Sequence, residues 1–250
     1  RNTFYRLAHH LMLYSERSRS IGIAHGLSPS SMTVIYNANC AEVNIGLPQI
    51  TPMDRARVLT RWNLGPTNPT VMCVSRLTPE RDLQTLIRSL ATLRDGGLEV
   101  NALIVGEGPE RCTLETMATE RELPVAFLGS VYDLDELDQL HAIADLSVIP
   151  GKAGLAVVTS MSRGVPVVCS APSESNKQGP ETEAIDPGVS GDFFASRDAD
   201  DLAEVIRKWI SDDELRHSAA VRCVTEMRNH YNAEVQAKLI RDVILHVHSS

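Results

Sequence analysis

The 250-residue sequence carries a formal net charge of −8 at pH 7, and 43% of its residues are hydrophobic. This length and composition are ordinary for a globular protein with one large domain or two small ones. The negative charge, without any run rich in Lys and Arg, argues against a general nucleic-acid binder. An acidic protein can still hold a single nucleotide through a few local donors.

The cysteines and the apolar runs argue against a disulfide-bonded, metal-binding or membrane-spanning protein. The five cysteines are scattered without a C-x-x-C pair, which predicts free thiols in a reducing compartment and no metal site. No apolar run reaches the ~18 residues that a membrane span needs, and the N-terminus lacks the profile of a signal peptide. Because the chain begins at Arg1 rather than Met, we interpret it as a fragment of a longer protein.

The first 45 residues predict a helix over 2–11, a short strand over 11–15, a helix around 16–26 and a strand over 33–37. Two strands and two helices do not close a stable sheet core by themselves. We therefore interpret residues 1–45 as the end of another α/β domain. Residues 46–66 contain three prolines and predict a linker with a short helix.

From Val71 onward, apolar strand-like runs alternate with helical patterns. The predicted strands cover 71–75, 100–106, 125–129, 146–150 and 165–170, and the predicted helices cover 82–95, 109–122, 134–144, 154–163 and 198–210. Continuous apolar strands separated by helices predict a parallel sheet that is covered on both faces. With right-handed crossovers, residues 67–211 therefore predict an α/β, doubly wound Rossmann-like domain. Residues 212–250 predict one or two helices that return to the junction.

The segment 75–90, SRLTPERDLQTLIRSL, joins the first of these strands to an amphipathic helix. Its turn carries Arg76 and Arg81 at the carboxyl end of a strand, where open α/β sheets bind ligands. Two guanidinium groups and a helix N-terminus together predict a clamp for a diphosphate. The alternative interpretation is two surface arginines on a solvated turn.

Several segments resemble, in order and spacing, those of the group 1 glycosyltransferases, which are retaining enzymes of the GT-B fold. These segments are SRLTPERDLQTLI, LIVGEGPER, FLGSVYDLDELDQLHAIADLSVIP, GLAVVTSMSRGVPVV and GVSGDFF. The opening LYSERSRSIGIAHGLSPSSMTVIYN resembles the end of that family's acceptor domain. The resemblance implies a GT-B protein whose C-terminal donor-binding domain is present, together with a remnant of the second Rossmann-like domain.

The resemblance assigns roles to residues in three loops. Arg76 and Arg81 would bind the donor diphosphate and stabilise its charge as it leaves, without a requirement for metal. Val131 and Tyr132 would line the base pocket, with an exposed loop aromatic as the alternative. Gly106 would admit close approach of the ligand, whereas Gly108 is better explained by a tight turn.

The family usually carries two glutamates separated by seven residues, and here their positions hold Gly151 and Thr159. The local pattern PG-x-x-GL resembles a subgroup that uses glycine at the first position. In that subgroup, backbone amides around Gly154 and Leu155 can meet the sugar or phosphate, and Lys152 adds a cation. Thr159 would hydrogen-bond a ribose hydroxyl, or alternatively bond back to the preceding helical turn.

The same subgroup carries a second acidic segment, which QGPETEAIDPG (178–188) resembles. Glu181 and Glu183 lie two residues apart, so in an extended stretch they would share one face. The resemblance favours Glu183 as the catalytic carboxylate at the donor sugar. The alternative is a solvated acidic loop.

These expectations combine into one function. The protein would transfer a hexose from a UDP- or GDP-sugar to a glycan or lipid-linked acceptor with retention, in cell-surface polysaccharide synthesis. Its partners would be the nucleotide sugar and the acceptor, with no nucleic acid and no resident cofactor. The resemblance implies a cytoplasmic protein at the inner face of the membrane, associated peripherally through its N-terminal domain. The alternatives are a catalytically weak or inactive nucleotide-binding subunit of the same fold, and a nucleotide-sugar 2-epimerase.

Overall fold

The computed structural model describes residues 5, 7–38, 45–47, 50–173 and 176–248. These residues form a two-stranded sheet and a six-stranded sheet, and every pair of neighbouring strands in both is parallel. The α/β architecture predicted from the alternating pattern is therefore confirmed.

The first sheet pairs β1 (Leu11–Leu13) with β2 (Met32–Val34), and α1 (Glu16–Ala24) connects them. The helix α1 begins after Ser15, whose hydroxyl accepts the N–H of Ser18 and so satisfies a donor of the first turn. Part of the helix predicted over 2–11 lies outside the described residues, and at residues 7–10 the structure has no helix. The linker contains α2 (Pro52–Arg61), which Thr51 caps.

The second sheet contains six strands, of which five were predicted. They are β3 (Thr70–Val74), β4 (Asn101–Val105), β5 (Val125–Gly129), β6 (Leu146–Ile149), β7 (Val167–Ser170) and β8 (Gly191–Phe194). The strand β8 has only two apolar residues, which follow a glycine and an aspartate. Its sequence therefore contains no apolar run from which a strand could be predicted. The spatial order is β5-β4-β3-β6-β7-β8. The chain therefore reverses its direction of growth between β3 and β6, which creates a topological switch point there.

Both faces of this sheet are covered by helices, because alternate residues of each strand point to opposite sides. Val71 and Cys73 of β3 belong to the core beneath α3 (Leu83–Asp95), α4 (Arg111–Glu120) and α7 (Ala199–Ile210). Met72 belongs to the opposite core, which α2 and α5 (Leu134–Ile143) cover. The helix α6 (Ala156–Ser162) packs beside α5 against β6 and β7.

The last two helices, α8 (Asp213–Asn229) and α9 (Ala233–His248), follow the sheet domain. The rings of Tyr36 and Tyr231 lie 5.2 Å apart, and the side chain of Gln236 donates to the carbonyl of Tyr36. Arg228 donates through Nη2 to the carbonyl of Ile45 at 2.9 Å. The C-terminal helices therefore contact the segment that follows the first sheet. Within the described part of the chain, every helix is too short or too polar to cross a lipid bilayer.

Candidate functional site

Two loops meet at the switch point between β3 and β6. The loop after β3 ends in a 3₁₀ turn, Pro79–Arg81, and the loop after β6 passes directly beside it. The N–H of Lys152 donates to the carbonyl of Glu80 at 3.1 Å, and the guanidinium of Arg81 donates to the carbonyl of Lys152. The structure therefore holds Arg81 at the carboxyl ends of the two strands that flank the switch point.

The two predicted clamp residues differ in their environment. Arg76 is exposed on the turn, whereas Arg81 is half-buried. The Nε of Arg81 is buried and has no hydrogen-bond partner among the residues that the structure describes. A buried donor without an acceptor costs free energy, and an oxygen of an anionic ligand would remove that cost. The site thus presents one exposed cation, Arg76, and one anchored cation, Arg81.

Gly151 is glycine because the loop after β6 touches the backbone of the Arg81 turn. A Cβ at this position would lie 2.4 Å from the carbonyl oxygen of Glu80 and 2.5 Å from the Cα of Arg81. A glutamate at this position, which the resemblance would lead us to expect, would displace the turn that holds Arg81. Gly154, by contrast, has room for a side chain, because no atom lies within 4 Å of a Cβ placed on it.

Gly106 and Gly108 also serve the approach of two loops. A Cβ on Gly106, whose φ is +140°, would lie 1.8 Å from the carbonyl oxygen of Ser75. A Cβ on Gly108 would lie 2.3 Å from the carbonyl oxygen of Leu77. At Gly106 the backbone of Ser75 occupies the space of any side chain, and close approach of a ligand to this glycine stays a prediction. The φ of Gly108 is not in the left-handed region, so close approach rather than turn conformation requires glycine there.

The loop between β5 and α5 carries the predicted base-pocket residues. Val131 is half-buried against the core around β4 and α5, and Tyr132 is 87% exposed. Asp133 begins α5 by accepting the N–H of Glu136 at 2.8 Å. Asp133 thus caps the helix, and stacking of Tyr132 on a base stays a prediction.

The remaining residues of the glycine loop lie near the start of α6. Lys152 is exposed and Leu155 is 44% exposed. Thr159 lies half-buried inside α6, where its carbonyl accepts from Nη1 of Arg163 at 3.2 Å. A role of Thr159 at the ribose stays a prediction.

The expectation that Glu181 and Glu183 share a face is wrong. Residues Pro180–Ala184 form a 3₁₀ helix, in which residues two apart point in different directions. Glu181 is only 5% exposed and accepts from Nδ2 of Asn37 at 2.5 Å. Glu183 is exposed, and its two oxygens accept the N–H groups of Glu16 and Arg17 at 2.9 and 2.8 Å.

Both carboxylates of this turn therefore bind the first segment of the chain. Glu183 satisfies the free N–H groups at the start of α1 and complements the helix dipole. A catalytic role of Glu183 at a donor sugar requires its carboxylate to leave that helix. This role stays a prediction.

Gln178 was not predicted from the sequence as a site residue, and its side chain lies between the loops after β6 and β7. Its Oε1 accepts the N–H of Ala153 at 2.8 Å, and its Nε2 donates to the carbonyl of Gly151 at 3.0 Å. The same Nε2 contacts the carbonyl and the hydroxyl oxygen of Ser170, at 3.0 and 2.7 Å. A glutamine in a polar loop gives no pattern from which these contacts could be predicted.

A second cluster missed by the sequence analysis lies beneath α6. His141 is 1% exposed, its Nδ1 lies 2.7 Å from the carbonyl oxygen of Leu137, and its Nε2 faces Ser160. Burial lowers the pKa of His141 to about 4, although the hydrogen bond to Leu137 opposes the shift. The imidazole is therefore neutral at pH 7. The nearby Arg163 is almost fully buried and pairs with Asp138 at 2.5 Å.

The described part of the chain contains no group of three His, Cys, Asp or Glu residues that could hold a metal ion. Four cysteines, Cys73, Cys112, Cys169 and Cys223, are free thiols, and Cys40 lies outside the described residues. Burial raises the pKa of Cys73, Cys169 and Cys223 to about 12.

Comparison with known proteins establishes the family. The model of the glycosyl transferases group 1 matches residues 55–222, which include the sheet and both loops of the site. The chain belongs to this family. The resemblance seen in the sequence is thereby confirmed.

Curated relatives include mannosyltransferases of mycobacteria. A GDP-mannose-dependent alpha-(1-6)-phosphatidylinositol dimannoside mannosyltransferase of Mycobacterium tuberculosis is 32% identical in an alignment of 192 residues, which covers 74% of this chain and 47% of the relative. The corresponding monomannoside enzyme of Mycolicibacterium smegmatis is 30% identical, over 68% of this chain and 45% of the relative. The chain thus spans about half the length of the curated relatives it matches.

Solved structures with the same fold cover nearly the whole chain. HepE of Anabaena in complex with UDP has a TM-score of 0.75 at 24% identity, covering 97% of this chain and 64% of that protein. Sucrose-phosphate synthase of Thermosynechococcus elongatus has a TM-score of 0.74 at 21% identity, covering 95% and 58%. At these identities the likeness concerns the fold alone. The predicted GT-B fold is confirmed.

Proposed function

We propose that this chain is the donor-binding part of a glycosyltransferase that transfers a hexose from a nucleoside-diphosphate sugar, with retention of configuration. The observation that carries the proposal is Arg81, which the carbonyl of Lys152 anchors at the switch point with a buried Nε left without a described partner. Ligands of open α/β sheets bind in this place. A diphosphate supplies the acceptor oxygens and the charge that two guanidinium groups bind best.

The chemistry follows from the position of the two arginines. As the bond between the sugar C1 and the diphosphate oxygen breaks, its electron pair moves to the diphosphate. Arg76 and Arg81 would stabilise this charge, so the reaction needs no bound metal. The acceptor hydroxyl forms the new bond to C1, and its proton passes to the departing diphosphate oxygen, which has gained the electron pair of the broken bond. With retention, the new bond forms on the face from which the diphosphate departs.

The donor we favour is GDP-mannose, and the acceptor a lipid-linked glycan of the cell surface. Several relatives that are 27–32% identical are GDP-mannose-dependent mannosyltransferases of phosphatidylinositol mannosides, and another at 27% identity is a D-inositol 3-phosphate glycosyltransferase. We propose that the reaction takes place at the cytoplasmic face of the membrane, through peripheral association of the protein. UDP-sugars remain the alternative donors, and HepE, which shares the fold, was solved with UDP.

Titration of the purified protein with GDP, UDP and ADP by calorimetry tests the donor site. Failure of all three nucleotides to bind would refute the proposal. Transfer by the full-length protein is then measured with GDP-mannose and UDP-sugars, in the presence of EDTA. We expect the double substitution Arg76→Ala, Arg81→Ala to reduce kcat by about 100-fold or more, as for the loss of other transition-state donors.

Arg88 offers a matched control, because it is an exposed arginine on α3 and follows Arg81 by more than one helical turn. Arg88→Ala should leave transfer unchanged. Persistence of turnover in the double variant would show that the two arginines do not form the clamp.

A second candidate function, a nucleotide-binding subunit without catalysis, is favoured by one observation. The backbone of Glu80 and Arg81 occupies the space of any side chain at Gly151, so the usual glutamate has no place there. Nucleotide binding without donor hydrolysis or transfer by the full-length protein would select this candidate.

A further inference from the structure

Lys152 is clamped through its backbone from two sides. On one side its N–H donates to Glu80 at 3.1 Å and its carbonyl accepts from Arg81. On the other side the residues that flank it, Gly151 and Ala153, both bind Gln178. The position of the Lys152 carbonyl therefore depends on contacts with two separate loops.

The amide of Gln178 acts on this loop as a neighbouring β-strand would. It accepts the N–H of Ala153 at 2.8 Å and donates to the carbonyl of Gly151 at 3.0 Å, so it pairs with the backbone on both sides of Lys152. Ser170 fixes the amide in turn, because its carbonyl and hydroxyl lie 3.0 and 2.7 Å from Nε2. The orientation of the Gln178 amide is thus determined by both its donor and its acceptor contacts.

We propose that Gln178 is a positioning residue for Arg81. It holds the Gly151–Ala153 backbone against the β3 loop, and the Lys152 carbonyl then fixes the direction of the Arg81 guanidinium. This inference rests on the proposed function, because it assumes that Arg81 binds the donor diphosphate. A misplaced guanidinium keeps its charge and loses its aligned hydrogen bonds to phosphate.

A purely structural role predicts a different result. If Gln178 only ties the loop after β7 to the sheet, its loss lowers stability and leaves the affinity for phosphate unchanged. Asn176 provides the matched control, since its Nδ2 contacts the hydroxyl of Ser170 and the carbonyl of Ala171, both at 3.0 Å. It ties the same loop through Ser170, and none of its described side-chain contacts reaches the Gly151–Ala153 backbone.

The test measures binding by calorimetry with GDP and GMP, or with UDP and UMP if the protein prefers uridine. We expect Gln178→Leu to lower the affinity for the nucleoside diphosphate by about 10-fold. The affinity for the monophosphate should fall by about 2-fold at most. Asn176→Ala should change neither affinity. Gln178→Glu has the same size and keeps the acceptor for Ala153, but it removes the donor to Gly151, so it should behave like Gln178→Leu.

A double-mutant cycle with Arg81→Gln gives the decisive readout. If Gln178 acts through Arg81, then Gln178→Leu should have no further effect on diphosphate binding once Arg81 is replaced. Equal losses in both backgrounds, or unchanged diphosphate affinity in both Gln178 variants, would overturn the inference while the proposed function stands. Absence of any nucleotide binding by the unmodified protein would overturn both.

Discussion

The substitution Gly151→Ala tests whether the site is built by contact between the loops after β3 and β6. The added Cβ would lie 2.4 Å from the carbonyl oxygen of Glu80, whereas ordinary contact begins at 3.4 Å, so the loops must separate by about 1.0 Å to restore ordinary contact. Such a separation would lengthen the 3.1 Å bond from Lys152 to Glu80 beyond the hydrogen-bond range. We expect a loss of about 1–3 kcal/mol, as for other overpacked sites.

The assay is thermal unfolding, with Gly154→Ala as the matched control from the same loop. For a protein of this size, the loss corresponds to a melting temperature lowered by about 2–12 °C. Because no atom lies within 4 Å of the would-be Cβ of Gly154, we expect its alanine variant to melt at or slightly above the unmodified protein. Gly151→Ala should also weaken nucleoside-diphosphate binding, since it moves the carbonyl that holds Arg81.

A melting temperature of Gly151→Ala equal to that of Gly154→Ala would refute the reasoning. That outcome would show that the two loops are not in contact in solution. Lack of space would then not explain why position 151 carries glycine rather than a carboxylate.

Two further predictions concern the carboxylate of Glu183, which accepts N–H groups at the start of α1, and the buried imidazole of His141. Glu183→Gln should speed hydrogen exchange of the Glu16 and Arg17 amides by about 5-fold, because an amide supplies one acceptor where the carboxylate supplies two. Unchanged exchange would show that Glu183 does not cap α1. Since burial lowers the pKa of His141 from 6.5 to about 4, the unfolded state binds more protons between those pH values. Stability should therefore fall by about 3 kcal/mol as the pH drops through this window, which urea unfolding measures. His141→Gln should remove that component, and an identical pH dependence in the variant would contradict it.

Local sequence patterns were enough to predict most of the sheet. Residues 71–74 and 102–105 are continuous apolar runs, and burial on both faces of a parallel sheet requires such runs. The strand Gly191–Phe194 was not predicted, because pairing with β7 rather than its own composition makes it a strand. The place of Arg81 at the end of a strand followed equally from local spacing.

The sequence by itself thus determined the α/β class, the order of the first five strands of the large sheet and the helices between them, and the turn that carries the two arginines. Only the tertiary structure decided why Gly151 is glycine, that Glu181 and Glu183 separate, and that Gln178 supports the site. The physical reason is that these features depend on contacts across the chain. Arg81 meets a residue 71 positions away, and Glu183 binds amides 166 and 167 positions away. Hydrophobic periodicity records which face of an element is buried, but it does not record which distant loop will lie against it.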